Sequence, residues 1–348
     1  MIFYFTIADI CLSYFCTNLS FCMLYEKLIQ SMLMEYHVLE FGGDDKIMDN
    51  ICHFLAVNNQ RWSQSEKWIR WRFEQNPSGK AIVVCAFENE HMVACLAIER
   101  FHVETGDAEL NFGCVTSVAF NDEYETGGVM AGILDVAERE AKRHSLDIIV
   151  AYGVDAERMG KEGKSWILDS VEIQNVIMPL RPFRSIFRLS GIKKAFVPNR
   201  CFAYHPVGLE MIHFDELANS IEKPDGLVLS YDMLQWILTF TDREYLFIDN
   251  DDFVAIGAVG QRGMQKEVHL LMMVSKNKSV HPSIYQKKLL EAICLKINPD
   301  EVSAIEETHV LTGKGLLEGL THVEYAYKVL RNGADRVEEI ARAIYQWI

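Results

Sequence analysis

The sequence lacks an excess of positive charge. It carries 34 Lys and Arg against 49 Asp and Glu over 348 residues, a formal net charge of −15. Nucleic acids and anionic membrane surfaces call for a basic field, so this balance excludes a general binder of either. Metal-ligand spacing is missing too. The nine cysteines include no CxxC pair and the eleven histidines no HExxH or similar pair, so no metal is expected. No Lys or Arg precedes Lys27 and no A-x-A site follows the first apolar run, whereas a cleaved signal peptide has both. What is present is globular. Apolar residues make up 49% and charged residues 24%, which excludes a mainly disordered or fibrous chain. The length suggests roughly two domains of ~150 residues.

The N-terminus is a different kind of sequence. Ile2 to Tyr25 are apolar or small-polar, with Asp9 the only charge. As a helix this run would reach ~36 Å at 1.5 Å per residue, against a bilayer core of ~30 Å. Asp9 opposes that reading, at a cost of ~2.5–3.5 kcal/mol near the bilayer centre. Three readings stand: a membrane anchor, a packed helix, or a segment outside the functional domain with translation starting at Met32 or Met34. The third is preferred. Cys11, Cys16 and Cys22 fall in this segment, and the six remaining cysteines are dispersed, as in a reducing compartment. The expected location is cytoplasmic, or membrane-anchored if residues 2–25 are a true anchor. The expected division is a hydrophobic segment 1–33, a first domain 34–205 and a second domain 206–348.

Beyond residue 34 the periodicities are legible. Tyr36–Phe41 reads as a strand closed by Gly42-Gly43. Ile47, Ile51, Phe54 and Leu55 recur at helical spacing. A second helix from Ser63 or Ser65 stops at Asn76-Pro77-Ser78-Gly79. Three strand-like runs follow, Ala81–Phe87, Met92–Phe101 and Leu110–Phe120, separated by polar turns in the manner of an antiparallel meander. A polar loop, Asn121–Gly128, leads into a helix from Val129 to about His144, with Met130, Ile133, Leu134 and Ala137 on its apolar face. Asp147–Ala151 is a short buried strand. Helix interrupted by Gly160 and Gly163 is then expected over Asp155–Ser170, and strand over Val171–Leu180. Arg181, Arg184, Arg188, Lys193 and Lys194 make the next segment basic, read as a solvated connection. The predicted fold is α/β (α+β), a mixed, mostly antiparallel sheet flanked by helices.

The second half echoes the first. Ser230–Leu238 holds Trp236 as Ser65–Phe73 holds Trp71. Tyr245–Asp249, Phe253–Val259 and Val268–Val274 follow as strands, Ser283–Ile297 as a helix and Val302–Glu306 as a strand. The shared order implies a divergent internal duplication. Trp68, Trp71, Trp166 and Trp236 are expected as core or interdomain anchors. Thr312-Gly313-Lys314-Gly315 lacks the full G-x-x-x-x-G-K-[ST] form and reads as a turn.

The meander, loop, helix and strand over roughly Tyr36 to Ile186 resemble the GNAT superfamily of acyl-CoA-dependent N-acyltransferases. That family carries an Arg/Gln-x-x-Gly-x-Gly/Ala loop between its fourth strand and the next helix. Here Asn121–Gly128 (NDEYETGG) fills the loop, with Gly128 at the first glycine position, Glu125 in place of Arg or Gln, and Met130 in place of a small residue. The Trp71–Pro77 stretch and the two-domain layout are similar to bacterial GNAT-like proteins of cell-surface polysaccharide gene clusters. The resemblance implies acetyl-CoA or another acyl-CoA as cosubstrate and a small-molecule amine, such as an amino sugar, as acceptor. It implies that Val118, Ala119 and Phe120 hold the pantetheine arm and that Gly127, Gly128 and Val129 receive the pyrophosphate. A carboxylate, Glu109 or Glu99, would take the amine proton, and Tyr152 would protonate the leaving thiolate. Cys114 is expected to be a buried structural thiol. The acidic loop Asp122–Glu125 motivates an alternative, a catalytically inactive GNAT-fold binding or assembly module.

Overall fold

A computed structural model describes residues 34–39, 45–58, 66–105, 108–124, 128–181, 196–199, 226–227, 231–239, 243–277, 279–305, 311, 316–331 and 334–345. The N-terminal segment, Gly127, Glu125, most of the basic stretch after Arg181, the 205/206 boundary and the Thr312–Gly315 turn lie outside the described residues.

The first half begins with β1 (Glu35–Leu39), α1 (Asp45–Asn58) and α2 (Glu66–Glu74). The meander follows as β2 (Ile82–Glu88), β3 (His91–Thr105) and β4 (Ala108–Phe120), all antiparallel. Asn89 and Glu90 both take positive φ, 48° and 67°, which lets a two-residue turn follow the twist of its strands. Next come α3 (Val129–Arg143), β5 (Ile148–Tyr152), α4 (Val154–Glu162) and β6 (Ile167–Pro179). Helix was expected to run to Ser170. It stops at Glu162 because Gly163 turns extended, with φ −82° and ψ 127°, and β6 starts four residues earlier than the apolar run suggests.

After two short strands, β7 (Phe196–Pro198) and β8 (Gly226–Leu227), the order repeats. The second half has α5 (Tyr231–Thr239), β9 (Glu244–Asp249), β10 (Phe253–Arg262), β11 (Gln265–Ser275), α6 (Gln286–Lys296), β12 (Glu301–Ile305), β13 (Leu317–Val329) and α7 (Val337–Tyr345). Both halves show the same local irregularity. β4 pairs in parallel with β5 over four positions, ending at Val115 and Ala151, and then bulges at Thr116. β11 pairs in parallel with β12 over four positions, ending at Leu270 and Ala304, and then bulges at Leu271. The duplication expected from element order therefore extends to the position of a β-bulge.

The last long strand of each half is exchanged. β6 follows β5 in the chain but pairs with β12, and β13 follows β12 but pairs with β5. β6 and β13 also pair with each other, with Glu172 opposite His322. The thirteen strands among the described residues thus form one sheet, in the order β1-β2-β3-β4-β5-β13-β6-β12-β11-β10-β7, with β8 beside β3 and β9 beside β10.

Helices cover both faces. On one, α3 packs Ile133, Leu134 and Ala137 on Val84, Leu96, Ile98 and Ile149. On the other, α1, α2, α5 and α7 share a single apolar core that includes Phe73 and Cys114 from the first half and Trp236, Ile256 and Leu271 from the second. α6 closes a third cluster through Leu289 and Ile293. Among the described residues no helix is long and apolar enough to cross a membrane.

Candidate active site

The distinctive feature of the first half is where β4 and β5 separate. Parallel pairing ends at Val115 and Ala151, yet β4 runs on to Phe120 with only β3 beside it. In an antiparallel pair, alternate residues turn N–H and C=O away from the partner. Beyond Val115, β4 therefore presents backbone groups to the opening on the β5 side. Val118, Ala119 and Phe120 lie along that stretch. Their side chains are buried, Val118 and Phe120 on the α3 face and Ala119 on the other, so it is their backbone that faces the opening.

The strand ends in a short turn that returns to α3. Asn121 N–H donates to Val93 O at 2.9 Å, and Tyr124 Oη donates to Glu88. Asp122 and Glu123 are exposed in this turn. Gly128 then takes φ 81° and ψ −1°, and no side chain caps α3. A Cβ at Gly128 would meet nothing within 4 Å, so the space beside the helix start is open. The Gly132 N–H bonds back to Gly128 O at 3.1 Å. The amides of Val129, Met130 and Ala131 come before that first helical bond, at the positive end of the helix dipole, where an anion is favoured. Met130 stands where the GNAT pattern has a small residue, but its side chain is buried against the sheet and leaves the helix start unobstructed. Basic residues Lys142 and Arg143 complement the other end of the helix.

A cation that sequence reasoning missed stands at this corner. The Arg158 guanidinium, from α4, lies 5.8 Å from the centroid of the Phe120 ring. No local pattern marks Arg158, because its place depends on α4 packing beside the end of β4.

The proposed acid–base residues are not brought together. Glu109 sits at the start of β4, 73% exposed, with His102 Nε2 3.8 Å away. Val118 lies nine positions further along the strand, about 30 Å at 3.3 Å per residue. Tyr152 closes β5 beside the opening, and its hydroxyl donates to Ala341 O at 3.1 Å. Glu99 is fully buried and paired with Arg72, which also lies 5.0 Å from the Trp68 ring centroid. Cys114 is directly opposite Glu99. Burial, and then the Glu99 charge, push its thiol well above the ordinary range, while Arg72 opposes and Asp155 adds to the shift. Cys114 is therefore an unreactive core thiol. Asp155, in the first turn of α4 and partly exposed, is a carboxylate whose charge reaches this strand.

At the bulge itself, the Thr116 hydroxyl is buried without a hydrogen-bond partner while the residue as a whole is partly exposed. Leaving a buried hydroxyl unsatisfied costs about 1–3 kcal/mol.

The second half repeats the strand separation, but its helix is entered through a 3-10 turn, whose Ser283 carbonyl accepts the Gln286 N–H, although no side chain caps α6 itself. A 3-10 turn, Pro282–Tyr285, precedes α6, and His281 Nδ1 accepts the Ser283 N–H at 3.3 Å. Lys276 and Lys288, flanking this region, pair with Asp249 and Asp252. The core positions matching Phe112, Cys114, Ile148 and Val150 become Glu267, His269, Glu301 and Ser303. Arg262 donates to both Glu267 oxygens, at 2.8 and 2.9 Å, and the Ser303 hydroxyl donates to the same carboxylate. His269 Nδ1 lies 2.8 Å from Ser303 Oγ. Burial, then Glu267, raise Glu301 to about 8. Burial lowers His269 to about 4. Among the described residues no group of three or more His, Cys, Asp or Glu could hold a metal ion.

These features define a GNAT-type fold, and the comparisons with known proteins agree. Residues 49–163 match the family model described as acetyltransferase (GNAT) domain, within the stretch that carries the sequence resemblance. The match ends just before β6, where the strand exchange begins. A GCN5-related N-acetyltransferase from Anabaena variabilis ATCC 29413 superposes with a TM-score of 0.55 at 11% identity, over 85% of this chain and 73% of that one. A conserved protein from Enterococcus faecalis V583, described as a probable N-acyltransferase, gives 0.54 at 9% identity over 85% and 73%. A GCN5-related N-acetyltransferase from Kribbella flavida gives 0.53 at 12% identity over 86% and 72%. At these identities the likeness concerns the fold. No curated protein sequence matches the chain.

Proposed function

We propose that the protein transfers an acetyl or other acyl group from acyl-CoA to a primary amine, and that the first half alone binds the donor. The observation that carries this reading is the contrast between the halves. Both part their parallel strands after four pairs, and neither following helix has a side-chain cap, but only in the first does the helix start directly at a left-handed glycine with open space beside it, whereas in the second a 3-10 turn runs into α6 and its Ser283 carbonyl accepts the Gln286 N–H. The GNAT match over residues 49–163 falls on the same half.

On this reading the amides of Val129 to Ala131 hold the diphosphate, with Arg158 adding positive charge nearby. The β4 edge from Phe120 back to Thr116 aligns the pantetheine arm by strand-like hydrogen bonds and directs the thioester to the apex of the opening. Backbone amides there polarise the thioester carbonyl. The amine nitrogen forms a bond to the carbonyl carbon, the C–S bond breaks, and the thiolate takes a proton, which Tyr152 at the end of β5 would donate in place of its hydrogen bond to Ala341 O. The proton lost by the amine goes to Asp155 directly or through water. Asp155 replaces Glu109 in this role because Glu109 lies seven positions, about 23 Å, along the strand from the Thr116 apex. An amino sugar is the acceptor class suggested by the resemblance to polysaccharide-cluster proteins, and the cytoplasm is where acyl-CoA is supplied.

Calorimetry of the full chain with coenzyme A tests the reading. One site per chain is expected. No heat at millimolar ligand removes it, and two sites per chain would overturn the assignment to one half.

A further inference from the structure

We propose that the Thr116 hydroxyl donates a hydrogen bond to the thioester carbonyl oxygen of bound acyl-CoA; this rests on the acyltransferase reading and assigns one further group within that site. Three observations carry it. Thr116 is the extra residue of the bulge, one position past the last β4–β5 pair, at the apex where the two strands part. Its hydroxyl is buried without a partner in a residue that is otherwise partly exposed. The same bulge in the second half is occupied by Leu271, a buried apolar residue. The bulge therefore forms without a hydroxyl, so the fold does not explain the one at Thr116.

A bound ligand does. With the diphosphate at the Gly128 end and the arm running back along β4, the acyl end reaches the apex. A carbonyl oxygen there supplies the acceptor that the hydroxyl lacks. As the amine adds to the carbonyl carbon, negative charge moves onto that oxygen and the hydrogen bond strengthens, before the C–S bond breaks and the charge leaves with the thiolate. No proton is transferred from Thr116. The hydroxyl stabilises charge without acting as acid or base.

The test uses the full chain with acetyl-CoA labelled with carbon-13 at the thioester carbonyl. Infrared difference spectra compare the bound carbonyl band in the native protein and in Thr116→Val, Thr116→Ser and Thr116→Ala. The band is expected at lower frequency when bound to the native protein and to Thr116→Ser, and to return toward the free value in the valine and alanine variants, with the dissociation constant changed less than about threefold. Thermal melting without ligand is the second readout. Thr116→Val should melt at the same or a higher temperature, because no protein partner is lost. An identical carbonyl band in native and valine proteins, or a clear fall in melting temperature for Thr116→Val, overturns the proposal. If the native protein does not bind acetyl-CoA, the acyltransferase reading fails first and this inference fails with it. Intact binding with an unchanged band sinks this inference alone.

Discussion

Trp71 and Trp236 stack with ring centroids 4.9 Å apart, and each indole N–H donates to the other's backbone carbonyl at 3.1 Å. They occupy matching helices, α2 and α5, so the contact is reciprocal across the duplication. Glu172 opposite His322 is its counterpart in the sheet. Each of these two lies seven residues before the residue that meets the first position of β12 or β5.

Because both rings are buried in one core, Trp71→Ala and Trp236→Ala should each lose about 3–5 kcal/mol of stability. Their effects should not add. A double-mutant cycle in urea is expected to give a coupling of about 0.5–3 kcal/mol; additive losses would mean the stacked pair works as two separate anchors.

Removing residues 312–348 should unfold the first half, although the GNAT match ends at residue 163. β13 covers the open edge of β5 from Ile148 to Tyr152, and α7 places Ile340 and Ala341 in the shared core. Hydrogen exchange of the β5 amides reports this directly. Retained protection in the truncated chain would show that the halves fold independently.

Placing charge at the helix start should weaken donor binding. Gly128→Asp fits sterically, and Asp is one of the residues that tolerates left-handed backbone. Its carboxylate would oppose a diphosphate by about 1–4 kcal/mol, so coenzyme A affinity should fall roughly fivefold or more. Arg158→Ala should weaken it in the same direction, and less at high salt, because the charge is partly screened there. Calorimetry at two ionic strengths separates these outcomes.

Stability should fall as pH rises from 6.5 to 8. Glu301 binds its proton more tightly folded than unfolded, at about 8 against an ordinary 4.5. Its contribution is full below about 4.5 and is lost as pH climbs through 8. His269 has the opposite sign, since its value drops to about 4 from 6.5. It contributes above 6.5 and is lost as pH falls toward 4. Of these two groups, Glu301 dominates the change above pH 6.5, so Glu301→Gln should flatten urea-unfolding stability over pH 6.5–8. An unaltered slope would place the titration elsewhere.

Much of the fold was legible because short-range rules govern it. The β2–β3–β4 meander followed from β-branched runs and polar turns, α3 from its apolar spacing, and the duplication from element order. The site was legible only in outline. Gly128 drew attention in the sequence because a glycine between a strand and a helix has few other uses. Glu109 lies at the far end of β4 from the opening, a position the sequence did not show because residue type says nothing of place along a strand. Arg158, Asp155 and Thr116 carried no local signal.

Taken alone, the sequence determined the α/β class, the strand–loop–helix order around Gly128 and the repeat, since each depends on periodicity within a window of residues. Only the tertiary structure decided that β6 and β13 change places, that the bulge positions become Thr116 in one half and Leu271 in the other, and that one helix starts directly at an open glycine while a 3-10 turn runs into the other. Those outcomes depend on which distant strands meet, and pairing energy between β5 and either β6 or β13 is a property of the assembled sheet that no stretch of sequence contains.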